Sequence, residues 1–154
     1  MQATQRDTAT IRPARPADLA GIERLLIDNR LPTAGVADAL PDFLVAEHEG
    51  TLVGVVGIER CCREYALLRS TAVAPEWRSR GVGRRLVERA IAEAEARGTR
   101  ALYLLTTTAE RYFPSFGFTP TTRDAVPEEV RATKPAVPIA PVARACGCDD
   151  GCCT

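Results

Sequence analysis

Residues 67–98 constrain this chain most, because they place three local geometries in immediate succession. Leu67-Leu68-Arg69-Ser70-Thr71-Ala72-Val73 is short, largely apolar and bounded by Pro75, the pattern of a buried strand. Val82, Leu86, Ala90 and Ala94 then recur at helical spacing, with Arg84, Arg85, Glu88, Glu93 and Glu95 on other faces. Gly98 stands where a helix stops in the left-handed conformation. Between strand and helix lies Arg78-Ser79-Arg80-Gly81-Val82-Gly83. A helix entered through glycines offers backbone N–H groups, a partial positive charge and room for close approach. With Arg78, Arg80 and Arg84 around those glycines, an anion is the natural ligand, and the loop reads as a diphosphate site.

Spacing decides which kind. A Walker loop needs Gly-x-x-x-x-Gly-Lys-Ser/Thr, and the only lysine of the chain is Lys134. A dinucleotide fingerprint needs Gly-x-Gly-x-x-Gly, of which only Gly81-x-Gly83 is present. Arg78-x-x-Gly81-x-Gly83 resembles the acyl-CoA diphosphate loop of the GNAT superfamily of N-acetyltransferases. The plainer alternative is a loop whose glycines serve turning and whose arginines serve solubility.

The chain of 154 residues suits one domain with a real core. Its 20 basic and 20 acidic residues cancel, which argues against a nucleic-acid footprint. No apolar run approaches the ~20 residues that span a bilayer, and the polar start, residues 1–10, lacks an apolar signal core. A cytoplasmic protein with no membrane partner is expected, as a monomer or homodimer.

In chain order, residues 10–14 read as a strand, and Pro16 is well placed to open a helix. Leu19, Ile22, Leu25 and Leu26 line one face of that helix, and Asp28-Asn29-Arg30 with Pro32 end it. Residues 35–40 read as a second, short helix closed by Pro41. Residues 43–49 and 52–58 form two strand-like runs around a Gly50-Thr51 hairpin signal. Gly54 and Gly57 in the second run imply a bulge or close backbone contact. A further strand starts at Glu64 or Tyr65 and ends at Val73. After Gly98 come a strand at 101–105, a helix begun by Thr106-Thr107-Thr108 and limited by Pro114, and a strand entered through Phe116-Gly117-Phe118.

The Gly117-Phe118 pair stands where GNAT domains end the helix after their fifth strand, so the resemblance covers residues 10–131. It implies an α/β (α+β) fold: one GNAT-type domain with a mixed, mostly antiparallel central sheet flanked by helices. Residues 132–154 are left as a proline-containing linker and cysteine-rich tail. Leu68-Arg69-Ser70-x-Ala72-Val73, Leu104-Leu105-Thr106-Thr107-Thr108-Ala109-Glu110, Phe113-x-x-x-Gly117-Phe118 and Arg123-x-x-x-Pro127 further resemble the arsenic-resistance N-acetyltransferase group. That group is similar to the N-acetylglutamate synthase type of GNAT domain. It implies acetyl transfer from acetyl-CoA to the amine of a small amino acid or an amino-acid-like toxin.

The resemblance also implies roles. The pantetheine arm lies along Thr71, Ala72 and Val73, and the Val73 N–H is the oxyanion donor. Arg78, Ser79, Arg80, Gly81, Val82 and Gly83 hold the diphosphate, with Arg84 at the same helix end. Thr106 stands where many relatives carry an asparagine that contacts the arm. One departure concerns the general acid: many relatives have tyrosine where this chain has Phe113, and a phenyl ring donates no proton. Tyr112 is adjacent, but a helix turns ~100° per residue, so it need not face the leaving thiolate. It is either the acid or a packed or surface tyrosine.

Other candidates come from the residues themselves. Glu59 and Glu64 flank the central strands, and either can take the amine proton through water or be an ordinary exposed charge. His48, the only histidine, reads as a solvated residue beside a turn. Arg69 lies among apolar strand neighbours, where an arginine calls for an anionic partner. That partner is a substrate carboxylate, or else Glu59 or Glu64 in a structural ion pair.

Cys61-Cys62 sit in a turn between strands, and Cys146, Cys148, Cys152 and Cys153 crowd the end of the chain after the prolines at 135, 138 and 141. A cytoplasmic protein is not expected to keep such thiols as stable disulfides. The four tail thiols can ligate arsenite or a soft metal, or form a redox-sensitive tail without a ligand. Two function classes result: a small-molecule N-acetyltransferase using acetyl-CoA, or a non-catalytic thiol-rich arsenite- or metal-binding protein on the same scaffold.

Overall fold

A computed structural model describes residues 8–31, 33–60, 64–105, 116–120 and 141–145. The chain forms two compact units, residues 1–58 with 70–90 and residues 59–69 with 91–154.

In the first unit, β1 (Thr10–Pro13) pairs antiparallel with β2 (Phe43–His48), and β2 pairs antiparallel with β3 (Thr51–Arg60). The β2–β3 turn is Glu49-Gly50, both at positive φ (51° and 79°), the backbone of a two-residue hairpin of the right twist. It lies one residue earlier than the expected Gly50-Thr51. Pro16 opens a 3-10 turn (Pro16–Asp18) before α1 (Leu19–Asp28) begins. The Asp18 carboxylate accepts from the Arg15 N–H at 2.7 Å, which satisfies a donor at this helix entrance. Asp18 also takes both guanidinium arms of Arg12 at 2.8 and 3.0 Å, while Arg12 Nε reaches Glu47 at 2.7 Å. The second short helix is α2 (Val36–Ala39), succeeded by a 3-10 turn at Leu40–Asp42.

The glycines of β3 have the close contacts foreseen for them. A Cβ on Gly54 would meet Leu86 and Val82 of α3 (Val82–Ala96) at 2.9 and 3.0 Å, so this helix rests directly on the strand. Gly57 faces its cross-strand partner Phe43, whose ring covers the missing side chain. The ladder irregularity puts the extra residue on β3: Ala46 pairs with Gly54 and Glu47 with Leu52, so Val53, next to Gly54, has no opposite number. Val82, Leu86, Val87 and Ala90 are buried as the helical period requires. Burying each large aliphatic side chain contributes roughly 1.5–3 kcal/mol, which fixes the helix start that carries the loop.

In the second unit, the first part of β4 (Tyr65–Val73) pairs parallel with β5 (Ala101–Leu105), and with β6 at Thr119–Pro120 and β7 at Pro141–Ala145 the order continues β4-β5-β7-β6. Helix α3 ends at Gly98 (φ 88°), with Thr99 N–H closing on Ala94 O at 3.0 Å. Gly117, at φ 93°, turns the chain into the two-residue β6 (Thr119–Pro120), with Phe116 and Phe118 buried on either side. The linker reading is corrected at its end: residues 141–145 form β7 (Pro141–Ala145), antiparallel to β5 with Tyr103 opposite Ala143. A proline is tolerated as the first residue of a strand, so the proline-rich composition hid a pairing segment. The expected helix after Thr106, with Tyr112 and Phe113, lies outside the described residues. So do Cys61, Cys62, Cys146, Cys148, Cys152 and Cys153.

Candidate active site

The end of β4 and the loop after it lie in the first unit. Ser70 has φ 58° in the middle of the strand, a left-handed conformation that costs a non-glycine residue about 1–3 kcal/mol. Such a residue kinks a strand and re-aims the segment beyond it. That segment is Thr71-Ala72-Val73, read from the sequence as the pantetheine wall. Two hydrogen bonds pin its end: Ala74 N–H donates to Val53 O at 2.8 Å, and Asn29 Nδ2 donates to Val73 O at 3.5 Å.

Pro75–Trp77 then makes a 3-10 turn that delivers Arg78. Trp77 is buried and packs against the His48 ring at 4.7 Å. The histidine is therefore a half-buried packing partner, where the sequence placed a solvated residue. The Arg80 guanidinium lies 4.8 Å above the Trp77 ring, a cation–π contact worth about 0.5–1 kcal/mol at an exposed position. Arg78 Nη2 donates to Asn29 Oδ1 at 2.7 Å. Ser79 and Gly81 both have positive φ, 65° and 83°, and a Cβ at Gly81 would meet nothing within 4 Å. The loop thus combines an open concave turn with the first turn of α3, where helical N–H groups have no acceptor one turn back. Two of its three arginines are held by named neighbours. Arg84, the third, reaches Glu88 at 3.4 Å along the exposed helix surface, an i,i+4 pair of small energetic weight.

This geometry fits a diphosphate. It has two guanidinium groups held by neighbours, Arg78 by Asn29 and Arg80 by Trp77, backbone without side-chain bulk at Gly81, and the start of α3 directly after it. Residues 71–73 and 78–84 lie in one unit. Asn29 was missed: nothing local marks it, and only its partners at Val73 and Arg78, 44 and 49 residues away, give it a role.

Glu59 and Arg69 belong to the second unit. Arg69 donates to Glu59 at 2.8 Å, so the structure supplies one of the partners that the buried arginine called for. Glu64 accepts from the Arg100 N–H through its backbone carbonyl at 2.7 Å, and its carboxylate sits 3.8 Å from the Arg100 guanidinium. That is the ordinary surface charge reading for Glu64. Tyr65 and Tyr103 meet edge to face at 6.2 Å on β4 and β5. Burial, reinforced by the neighbouring Tyr65, pushes the Tyr103 phenol above its ordinary range. Thr106 and Tyr112 fall outside the described residues, as does the cysteine tail. Among the described residues no cluster of three or more His, Cys, Asp or Glu side chains is arranged for a metal ion. No helix among them is long and apolar enough to cross a membrane.

Known proteins agree with this fold. The chain is 28% identical over 127 residues to an uncharacterized N-acetyltransferase of Chlorobaculum tepidum, covering 78% of this chain and 81% of that one. It is 33% identical over 93 residues to an amino-acid acetyltransferase of Ralstonia nicotianae, covering 60% of this chain but only 21% of the relative. Among solved structures, N-acetylglutamate synthase from Neisseria gonorrhoeae, complexed with coenzyme A and L-arginine, superposes with a TM-score of 0.79 at 23% identity. That match takes in 92% of this chain and 34% of the synthase chain, and at this identity it speaks for the fold. Residues 39–120 match the family model of the acetyltransferase (GNAT) domain, more than half of the chain and all of the strand–loop–helix unit, and the chain therefore belongs to the GNAT acetyltransferase family.

Proposed function

We propose that this protein transfers the acetyl group of acetyl-CoA to the amine of a small amino acid or an amino-acid-like toxin. The observation that carries the reading is the continuous path from the Ser70 kink through Val73 to the open Gly81 turn at the start of α3. Loop 78–83 takes the diphosphate, Thr71 to Val73 line the pantetheine arm, and Thr106 contacts the arm in the role of the asparagine that many relatives carry. The amine nitrogen attacks the thioester carbonyl carbon, and the Val73 N–H stabilises the oxyanion of the tetrahedral intermediate. Loss of one such donor typically raises a barrier by ~3 kcal/mol. The C–S bond breaks, the nitrogen loses its proton to Glu59 through water, and Tyr112 or water returns a proton to the CoA thiolate. Arg69 binds an acceptor carboxylate by sharing with it the guanidinium that also holds Glu59, which lowers the charge it can offer. The similarity to amino-acid acetyltransferases supports an amino-acid acceptor, and the sequence motifs of the arsenic-resistance group support an arsenic-linked one.

A second reading rests on the tail. Cys146, Cys148, Cys152 and Cys153 lie within eight residues, enough soft ligands for arsenite or a soft metal on a non-catalytic scaffold. Thiol release from acetyl-CoA separates the two. Acetyl transfer requires free CoA thiol to appear when glutamate-like amines are added. Tight arsenite binding with no thiol release for any amine leaves the scaffold reading standing.

A further inference from the structure

Asn29 joins three elements through one side chain. It caps the end of α1, where its Nδ2 donates to Leu25 O at 2.8 Å and, over a longer 3.5 Å, to Val73 O at the end of β4. Its Oδ1 accepts from Arg78 Nη2 at 2.7 Å. The amide orientation is fixed by chemistry: a guanidinium only donates and carbonyls only accept, so the oxygen must face Arg78. We infer that Asn29 is a positioning residue for the acyl-CoA site, holding the diphosphate arginine and the Val73 peptide in fixed register. The inference rests on loop 78–83 being the diphosphate site.

Charge explains why an amide suits this place. An exposed arginine that must grip an anion loses rotamer freedom on binding, and a neighbour that holds it beforehand removes part of that loss. A carboxylate would hold Arg78 more strongly, yet it would cancel the charge needed for the diphosphate. It would also set an oxygen against Leu25 O and Val73 O, where a donor now stands. A neutral amide restrains the guanidinium and leaves its charge available. Its other end fixes the carbonyl of Val73, whose own N–H is the proposed oxyanion donor.

Calorimetric titration with acetyl-CoA tests this on the full chain, with melting curves for every variant. Asn29→Ala should weaken binding about five- to tenfold, less than the full worth of a charge-assisted hydrogen bond because Asn29 restrains the arginine and does not itself touch the ligand. Asn29→Asp should weaken it further, although it ties Arg78 more firmly. In an Arg78→Ala background, Asn29→Ala should add less than about twofold, because the residue acts through the arginine. The inference is overturned if Asn29→Asp binds acetyl-CoA as well as wild type, or if the two losses add fully. Unchanged affinity with only a lower melting temperature also overturns it, leaving Asn29 a helix cap. Should Asn29→Ala fail to fold, the Asp variant, close to Asn in volume, carries the comparison. Wild type that does not bind acetyl-CoA removes the diphosphate reading itself, an outcome distinct from the others.

Discussion

Arg69 donates to Glu59 at 2.8 Å, with the arginine side chain 7% exposed and the carboxylate 27% exposed. The pair is asymmetric: water can reach the glutamate far more easily than the arginine. A guanidinium kept this dry needs its anion, so removing Glu59 should cost more than an exposed pair would. Glu59→Gln, which keeps the volume, should lower stability by roughly 1–3 kcal/mol. A chemical-denaturation midpoint equal to wild type would show that the pair does not hold the fold.

Arg69 itself separates an acceptor clamp from a structural tie. As a clamp, Arg69→Met should raise KM for a carboxylate-bearing acceptor about tenfold or more, on the scale of a ~1.5–3 kcal/mol charge-assisted contact. KM for acetyl-CoA should move little. Equal losses for both substrates, or a chain that no longer folds, would assign Arg69 to the ion pair alone.

Gly81 tests the loop in two steps. A Cβ there meets nothing within 4 Å, so space is not the obstacle; φ 83° is. Gly81→Ala should therefore cost about 1–2 kcal/mol of stability from backbone strain alone. Gly81→Asp adds negative charge where an anion is to bind, and should weaken acetyl-CoA at least tenfold beyond the alanine variant. Equal acetyl-CoA affinity of the two variants in calorimetry would remove the diphosphate assignment.

The features legible in the sequence and those hidden from it divide along one physical line. The strand, loop and helix of residues 67–98 were legible because their periods differ and because Gly81 and Gly98 sit at positive φ. Gly54 and Gly57 announced close packing, though not that α3 and Phe43 were the neighbours. The Ser70 kink left no mark, since an apolar run looks the same straight or bent. Asn29 resembles any helix-ending asparagine until the fold brings Arg78 and Val73 to it. β7 was hidden because its partner β5 supplies the pairing that its own proline-rich composition does not advertise. Local propensity was readable; long-range partnership was not.

Acid should weaken the fold through Asp18. Its carboxyl is held below the usual range chiefly by the Arg12 hydrogen bonds, helped by the Arg15 N–H, against the opposing effect of burial. Because the folded carboxyl ionises at lower pH than the unfolded one, it adds stability above the unfolded value of about 3.9. That contribution fades as pH falls from there through the lower folded value. Asp18→Asn should thus cost more at pH 7 than in strong acid, by urea midpoints measured at each pH. A penalty independent of pH would show that Asp18 acts only by shape and neutral hydrogen bonding.

The end of the chain gives a test in which two cuts one strand apart should behave differently. β7 pairs with β5 from Pro141 opposite Leu105 to Ala145 opposite Ala101. Ending the chain after Ala145 leaves that ladder whole and removes Cys146, Cys148, Cys152 and Cys153. Ending it after residue 140 removes the ladder as well, exposing one side of β5 and leaving its backbone groups to water. A strand pairing of this length is worth several hydrogen bonds at a net ~0.5–1.5 kcal/mol each, so the shorter chain should melt clearly lower. The longer truncation should melt close to the full chain and still bind acetyl-CoA. If the tail thiols hold trivalent arsenic, this same truncation should abolish most stoichiometric arsenite binding under reducing conditions. Arsenite binding that persists would move the site to Cys61 and Cys62, the remaining thiols of the sequence. Equal melting temperatures for both truncations would instead show that β7 contributes nothing to the fold.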